Sequence, residues 1–146
     1  MFRGNHPTRV DEKGRLKIPA EFKREVDEKY GSQFFITSVD GERAQVYPMP
    51  EWQKYEEKVA AMPNSHPVKK KLLDRISYYG QTAEMDAQGR VLVPQVLRDS
   101  ARVTGDVVVF GKLSYLEVAN HDLFKAKLDA EPMTAEDEAA LASFGL

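Results

Sequence analysis

The sequence predicts an α+β fold, mainly β, built from two tandem copies of one small unit related by a pseudo-twofold axis. Three observations carry that expectation. The stretch VDEKGRLKIP at Val10–Pro19 returns as MDAQGRVLVP at Met85–Pro94, so that Asp11, Gly14, Arg15 and Pro19 are matched at identical spacing by Asp86, Gly89, Arg90 and Pro94. The same succession of strand-period and helix-period segments follows each copy. The chain has 146 residues, 42% hydrophobic and 30% charged, which suits one medium soluble domain or two small ones.

Copy one occupies residues 1–62. Val10 precedes the motif, and Leu16 and Ile18 follow it at strand spacing, so the motif reads as a hairpin. Gly14 can take positive φ and close a tight turn or bulge between the two strands. Pro19 suits the first position of a helix, and Phe22, Val26 and Tyr30 then recur on one helical face. FFITSV and AQVYPM read as further strands separated by an Asp40-Gly41 turn. Trp52, Tyr55, Val59 and Met62 mark a second helix.

Residues 63–80 form a linker, opened by MPNSHP with Pro63 and Pro67, and a connecting helix whose apolar side carries Val68, Leu72, Leu73, Ile76 and Tyr79. Copy two occupies residues 81–128. Leu97 and Ala101 sit on its first helix, VVVF and SYLEVA are strands, and Asn120 caps a closing helix with Leu123, Phe124 and Leu128. Residues 129–146 are an acidic tail with five acids and no base, in which Thr134–Phe144 reads as a terminal helix. Units of about sixty residues bury a limited core. The copies are therefore expected to pair, and the chain to form a homo-oligomer. Val91, Leu92 and Val93, which present apolar groups to both sides of one strand, point the same way.

Several chemistries find no support. The chain has no cysteine, which excludes disulfides, zinc-thiolate sites and thiol catalysis. His6, His66 and His121 are far apart and no carboxylate cluster accompanies them, so no metal is expected. The run GDVVVFGKL, with Gly105, Gly111 and Lys112, has one residue too many between its glycines for a phosphate loop, places Leu113 where a hydroxyl is needed, and reads as a strand. No nucleophile elbow occurs. The expectation is a non-enzyme without cofactor or small-molecule ligand. MFRGNHPTRV lacks a signal-peptide core and no apolar run has membrane-span length, so a cytoplasmic protein with no membrane partner is expected.

The net charge is −2, yet residues 1–24 hold seven Lys or Arg against three Asp or Glu, a local balance of +4. Such polarity steers a charged ligand even when the total is near zero. Strand alternation puts Leu16 and Ile18 on one face and Arg15 and Lys17 on the other. A basic strand face beside a glycine loop suits a phosphate backbone or a groove. Arg15, Lys13, Lys17 and Gly14 are therefore the candidate DNA-binding set. Arg3 and Arg9, which flank the first strand, are further phosphate contacts or, on an equal footing, a solvated strand edge. Asp11 and Asp86 read as structural, accepting loop N–H groups or pairing with the arginine. In copy two Gln88 replaces Lys13 and Leu92 replaces Lys17, so Gly89 and Arg90 are assigned to packing and pairing. Lys69–Lys71 read as a solvated helix face. Trp52, Phe22, Val26, Phe34 and Ile36 read as core or interface.

DEKGRLKIPAEFK and DAQGRVLVPQVLR in tandem resemble the two Asp-x-x-x-Arg motifs of the MraZ family. The resemblance covers nearly the whole chain and extends to the N-terminal MFRG, to VYP with Trp52, and to the helix before copy two. It implies two AbrB/SpoVT-like units of the double-psi or swapped-hairpin type and a ring-shaped homo-oligomer. It also implies a nucleoid-associated regulator whose N-terminal hairpins bind double-stranded DNA at short direct repeats in the promoter of its own division and cell-wall gene cluster. The motif match carries these roles to Asp11, Gly14, Arg15, Asp86, Gly89 and Arg90. The competing reading is an assembly module, or an antitoxin-like partner-binding module, built from the same hairpins. RNA binding is a third, and the aromatic pattern of an RNA-recognition sheet is not evident.

Overall fold

A computed structural model describes all residues, 1–146. Eight strands and six helices follow in the order β1 (Asn5–Val10), β2 (Arg15–Lys17), α1 (Ala20–Lys29), β3 (Gln33–Thr37), β4 (Ala44–Pro48), α2 (Met49–Ala61), α3 (Pro67–Tyr78), β5 (Gln81–Glu84), β6 (Arg90–Leu92), α4 (Gln95–Ala101), β7 (Gly105–Gly111), β8 (Leu116–Ala119), α5 (His121–Ala130) and α6 (Ala135–Ala142). The succession repeats: β1-β2-α1-β3-β4-α2 in copy one, β5-β6-α4-β7-β8-α5 in copy two. The expected α+β, mainly β architecture of tandem hairpin units is what is found.

The strands of the two copies interleave. The single sheet runs β5-β3-β4-β8-β7-β1-β2-β6, and all its pairs are antiparallel. β1 of copy one pairs with β7 of copy two, and β5 of copy two pairs with β3 of copy one. The equivalent strands β2 and β6 pair with each other, as do β4 and β8. Each hairpin is thus handed to the other copy. The two ends of the sheet, β5 and β6, are joined by the second hairpin loop, where the Asp86 N–H donates to the Arg90 carbonyl at 2.9 Å. The result is a near-closed barrel in which few strand edges remain exposed.

The core is shared for the same reason. One cluster of 21 buried residues takes Leu16, Ile18, Phe34 and Ile36 from copy one and Val91, Val93, Leu97 and Val109 from copy two. Each such side chain contributes roughly 1.5–3 kcal/mol on burial. A smaller cluster outside the barrel holds Tyr47, Trp52 and Ile76, with Phe35 stacked on Trp52 at 4.5 Å. Trp52 is core, as expected. The run Gly105–Gly111 is a strand, also as expected.

Local details differ from the expectation in three places. Pro19 and Pro94 are N-caps rather than first helical residues, with φ, ψ of −55°, 140° and −54°, 139°. On α3 the buried positions are Lys69 and Ile76, whereas Val68 and Leu73 are exposed. Lys69 does not belong to a solvated face: its ammonium donates to Ala60 O at 3.2 Å, Met62 O at 2.9 Å and Asn64 Oδ1 at 2.6 Å, closing the C-terminal end of α2. A cation there satisfies carbonyls that the helix leaves open. No helix is long and apolar enough to cross a membrane.

Candidate nucleic-acid interface

The two motifs build the same loop twice. The Asp11 N–H donates to Arg15 O at 3.0 Å and the Gly14 N–H to Asp11 O at 2.9 Å; the corresponding bonds at Asp86 and Gly89 are 2.9 and 3.0 Å. Asp11 Oδ1 accepts from the backbone of Lys13 at 3.0 Å and of Arg15 at 2.9 Å, and its Oδ2 accepts from Arg15 Nε at 2.7 Å. Asp86 accepts from Gln88 N at 2.9 Å, Arg90 N at 2.9 Å and Arg90 Nε at 3.0 Å. The aspartate needs a short side chain to reach its own loop, and the arginine must sit four residues on to close the bidentate arrangement. Each carboxylate thus accepts loop N–H groups and pairs with the arginine of its own motif. The backbone N–H of Arg15 does most to hold the Asp11 carboxyl below the ordinary 3.8; burial opposes it, and the Arg15 side chain and the Lys13 N–H add to the lowering. Arg90 does the same for Asp86.

The loops lock onto each other. The Ile18 N–H donates to Gly89 O and the Val93 N–H donates to Gly14 O, both at 2.9 Å. Gly14 and Gly89 have φ of +86° and +76°, where a side chain is strained. Each is also covered from the other copy. A Cβ on Gly14 would collide with the Arg98 guanidinium, and one on Gly89 would lie 3.0 Å from Lys23 Cδ. Lys23 and Arg98 occupy equivalent positions, four residues beyond Pro19 and Pro94. Neither was singled out in the sequence. Extending the repeat past the prolines pairs them, and that was the available signal.

The β2–β6 pair sets the outer face. Arg15 lies opposite Leu92, Leu16 opposite Val91, and Lys17 opposite Arg90. Leu16 and Val91 point into the core, so Arg15, Lys17, Arg90 and Leu92 share the outside. The Arg15 side chain is 33% exposed and that of Arg90 25%. Arg15 uses only Nε within the chain, which leaves both terminal nitrogens for another partner. Arg90 also approaches Asp11 Oδ2 at 3.9 Å. Lys17 donates to the Gln88 carbonyl across the pair.

The expected DNA-facing residues are only partly brought together. Lys13 is exposed on the loop beside Arg15 and Lys17. Arg9 is on the same outer side of β1 and pairs with Asp106 of β7 at 3.0 Å. Arg3 precedes the far end of β1, roughly 20 Å from Arg9 at about 3.3 Å per strand residue. Gly14 is buried beneath Arg98, so its contribution is conformational rather than a surface for close approach. Leu92, assigned to a more buried strand, is 55% exposed on the same face as Arg15. Arg90 therefore belongs to that face as well as to the packing of the loops.

The family model described as "MraZ protein, putative antitoxin-like" matches residues 1–75 and 80–144. The chain belongs to the MraZ family. It is 71% identical over 146 residues to the transcriptional regulator MraZ of Acidobacterium capsulatum, covering 100% of both chains. To the protein of the same name from Koribacter versatilis it is 51% identical over 147 residues, again with 100% of both covered. The Escherichia coli O127:H6 MraZ is 29% identical over 142 residues, with 94% of this chain and 93% of that one covered. Membership in the MraZ family places the chain among transcription regulators.

Proposed function

We propose that the chain is a sequence-specific DNA-binding regulator that recognises short direct repeats in the promoter of its own division and cell-wall gene cluster, through hairpins displayed by a ring-shaped homo-oligomer. The observation that carries this reading is the outer β2–β6 face. There Arg15, with two unused guanidinium nitrogens, stands beside Lys13 and Lys17 on a loop whose shape the Asp11 carboxylate holds. An arginine so presented suits a guanine edge or a phosphate, because its planar fork makes paired hydrogen bonds. The neighbouring lysines supply sequence-independent attraction that weakens with salt. Copies of this face on one assembly act together on repeated sites.

The test is a gel shift of the full chain on the region upstream of its own gene, at two salt concentrations, with an unrelated duplex as competitor. Retention of the upstream fragment against competitor is the expected result. An assembly or antitoxin-like partner module, the second reading, retains neither DNA.

A further inference from the structure

We propose that the acidic C-terminal helix α6 of one subunit docks on the outward stripe of α3 of a second copy of the chain, forming a head-to-tail subunit contact. This deepens the homo-oligomer reading and rests on it.

Helix α6 folds without support from its own subunit. Thr134 and Asp137 form a reciprocal capping box at its start, yet the helix buries no residue, and every position from Lys125 to Leu146 is exposed. Its charges and apolar groups are separated along its length. Glu136 and Glu138 lie in the first turn, and Leu141 and Phe144 follow at the other end, with Phe144 81% exposed. An isolated helix of eight residues is marginal in water, so an element of this kind gains its stability from a partner.

The complementary surface is on α3. Val68, Lys71, Leu72, Arg75 and Tyr78 recur at i, i+3, i+4, i+7 and i+10 and form one continuous stripe, flanked by Val39 from the β3–β4 connection. Val68 is 46% and Tyr78 68% exposed, and a shallow groove of about 440 Å³ opens beside Val68 and Leu72. Lys70 is neutralised by Asp74 at 3.1 Å, but Lys71 has no acidic partner, and Arg75 meets only the Val39 carbonyl, at 3.0 Å. The unpaired cations of α3 thus have acids available to them on α6, and its exposed apolar groups have Leu141 and Phe144. The lengths agree too: the stripe spans about 15 Å and α6 about 12 Å at 1.5 Å per residue. A contact between two different patches of one subunit is heterologous, the kind that a closed ring of identical chains requires.

The absence of cysteine makes the test clean. The full chain carrying Tyr78→Cys and Phe144→Cys is oxidised mildly and run on a denaturing gel, with wild-type size measured by light scattering. A ladder of covalent multimers is expected. Adding Lys71→Glu and Arg75→Glu should cut the cross-linked fraction about tenfold, the effect of a few ion pairs acting together, and further adding Glu136→Lys and Glu138→Lys should restore it. A monomeric disulfide loop, meaning that the tail folds onto its own α3, overturns the proposal, as does a ladder indifferent to the charge changes. Oligomeric wild type without cross-linking removes this contact and leaves the oligomer reading standing. Monomeric wild type removes both.

Discussion

Asp11 serves two arginines: its Oδ2 lies 2.7 Å from Arg15 Nε in its own motif and 3.9 Å from an Arg90 terminal nitrogen in the other. Asp86 meets only Arg90, at 3.0 Å. The two copies are therefore not equivalent at this point. Asp11→Asn should lower the melting temperature more than Asp86→Asn, because it weakens both loops. Equal effects in thermal denaturation would show that the contact between motifs contributes nothing.

Acid stability follows from the same carboxylates. Both are held below 3.8, first by a backbone N–H and then by the arginine side chain. A group with a depressed folded-state value contributes stability that is present above its unfolded value and is lost as pH falls through the folded one. Melting temperature should accordingly be insensitive to these groups above pH 3.8 and should fall below it. The Asp11→Asn, Asp86→Asn double variant should show a shallower decline over that range in a pH series of melting curves.

Gly14→Val and Gly89→Val should each cost about 1 kcal/mol or more from the positive φ alone. Gly14→Val should cost more, since the new side chain must also displace Arg98 from its bond to the Val93 carbonyl at 3.0 Å. At Gly89 only the flexible stem of Lys23 has to move. Chemical denaturation of both variants checks the order.

Arg15→Ala should leave fold and assembly nearly unchanged and weaken specific DNA binding by roughly 1–3 kcal/mol for each hairpin engaged. Arg90→Ala should lower the melting temperature more, because Arg90 faces both aspartates. Measuring melting temperature, particle size and operator affinity for the two variants side by side separates the roles. Wild-type affinity in Arg15→Ala would remove Arg15 from the interface.

Lys69→Met should destabilise the chain by about 1–3 kcal/mol, since it removes the three hydrogen bonds that a largely buried ammonium makes at the end of α2. The loss should appear as a lower denaturation midpoint. Lys70→Met, on the exposed side of the same helix, should have little effect on that midpoint.

Much of this molecule is legible from local pattern. The repeat of Asp11-Gly14-Arg15 at Asp86-Gly89-Arg90, the hairpins, the Asn120 cap and the core positions Phe22, Val26, Phe34 and Ile36 follow from periodicity and turn chemistry, which act over a few residues. Strand partners are another matter. Period-2 alternation specifies which face of β1 is buried, but β7 is a partner almost a hundred residues away, and nothing in either strand names the other. The exchange of hairpins between copies placed Arg90 and Leu92 on the face of Arg15, although their apolar neighbours suggested a buried strand. Arg98 and Lys69 are hidden for a related reason: a cation on an amphipathic helix looks solvated until another element brings a glycine or a helix end beneath it. Local sequence settles what each segment is. Long-range packing settles which segments meet, because only the closed barrel buries both sets of apolar faces at once.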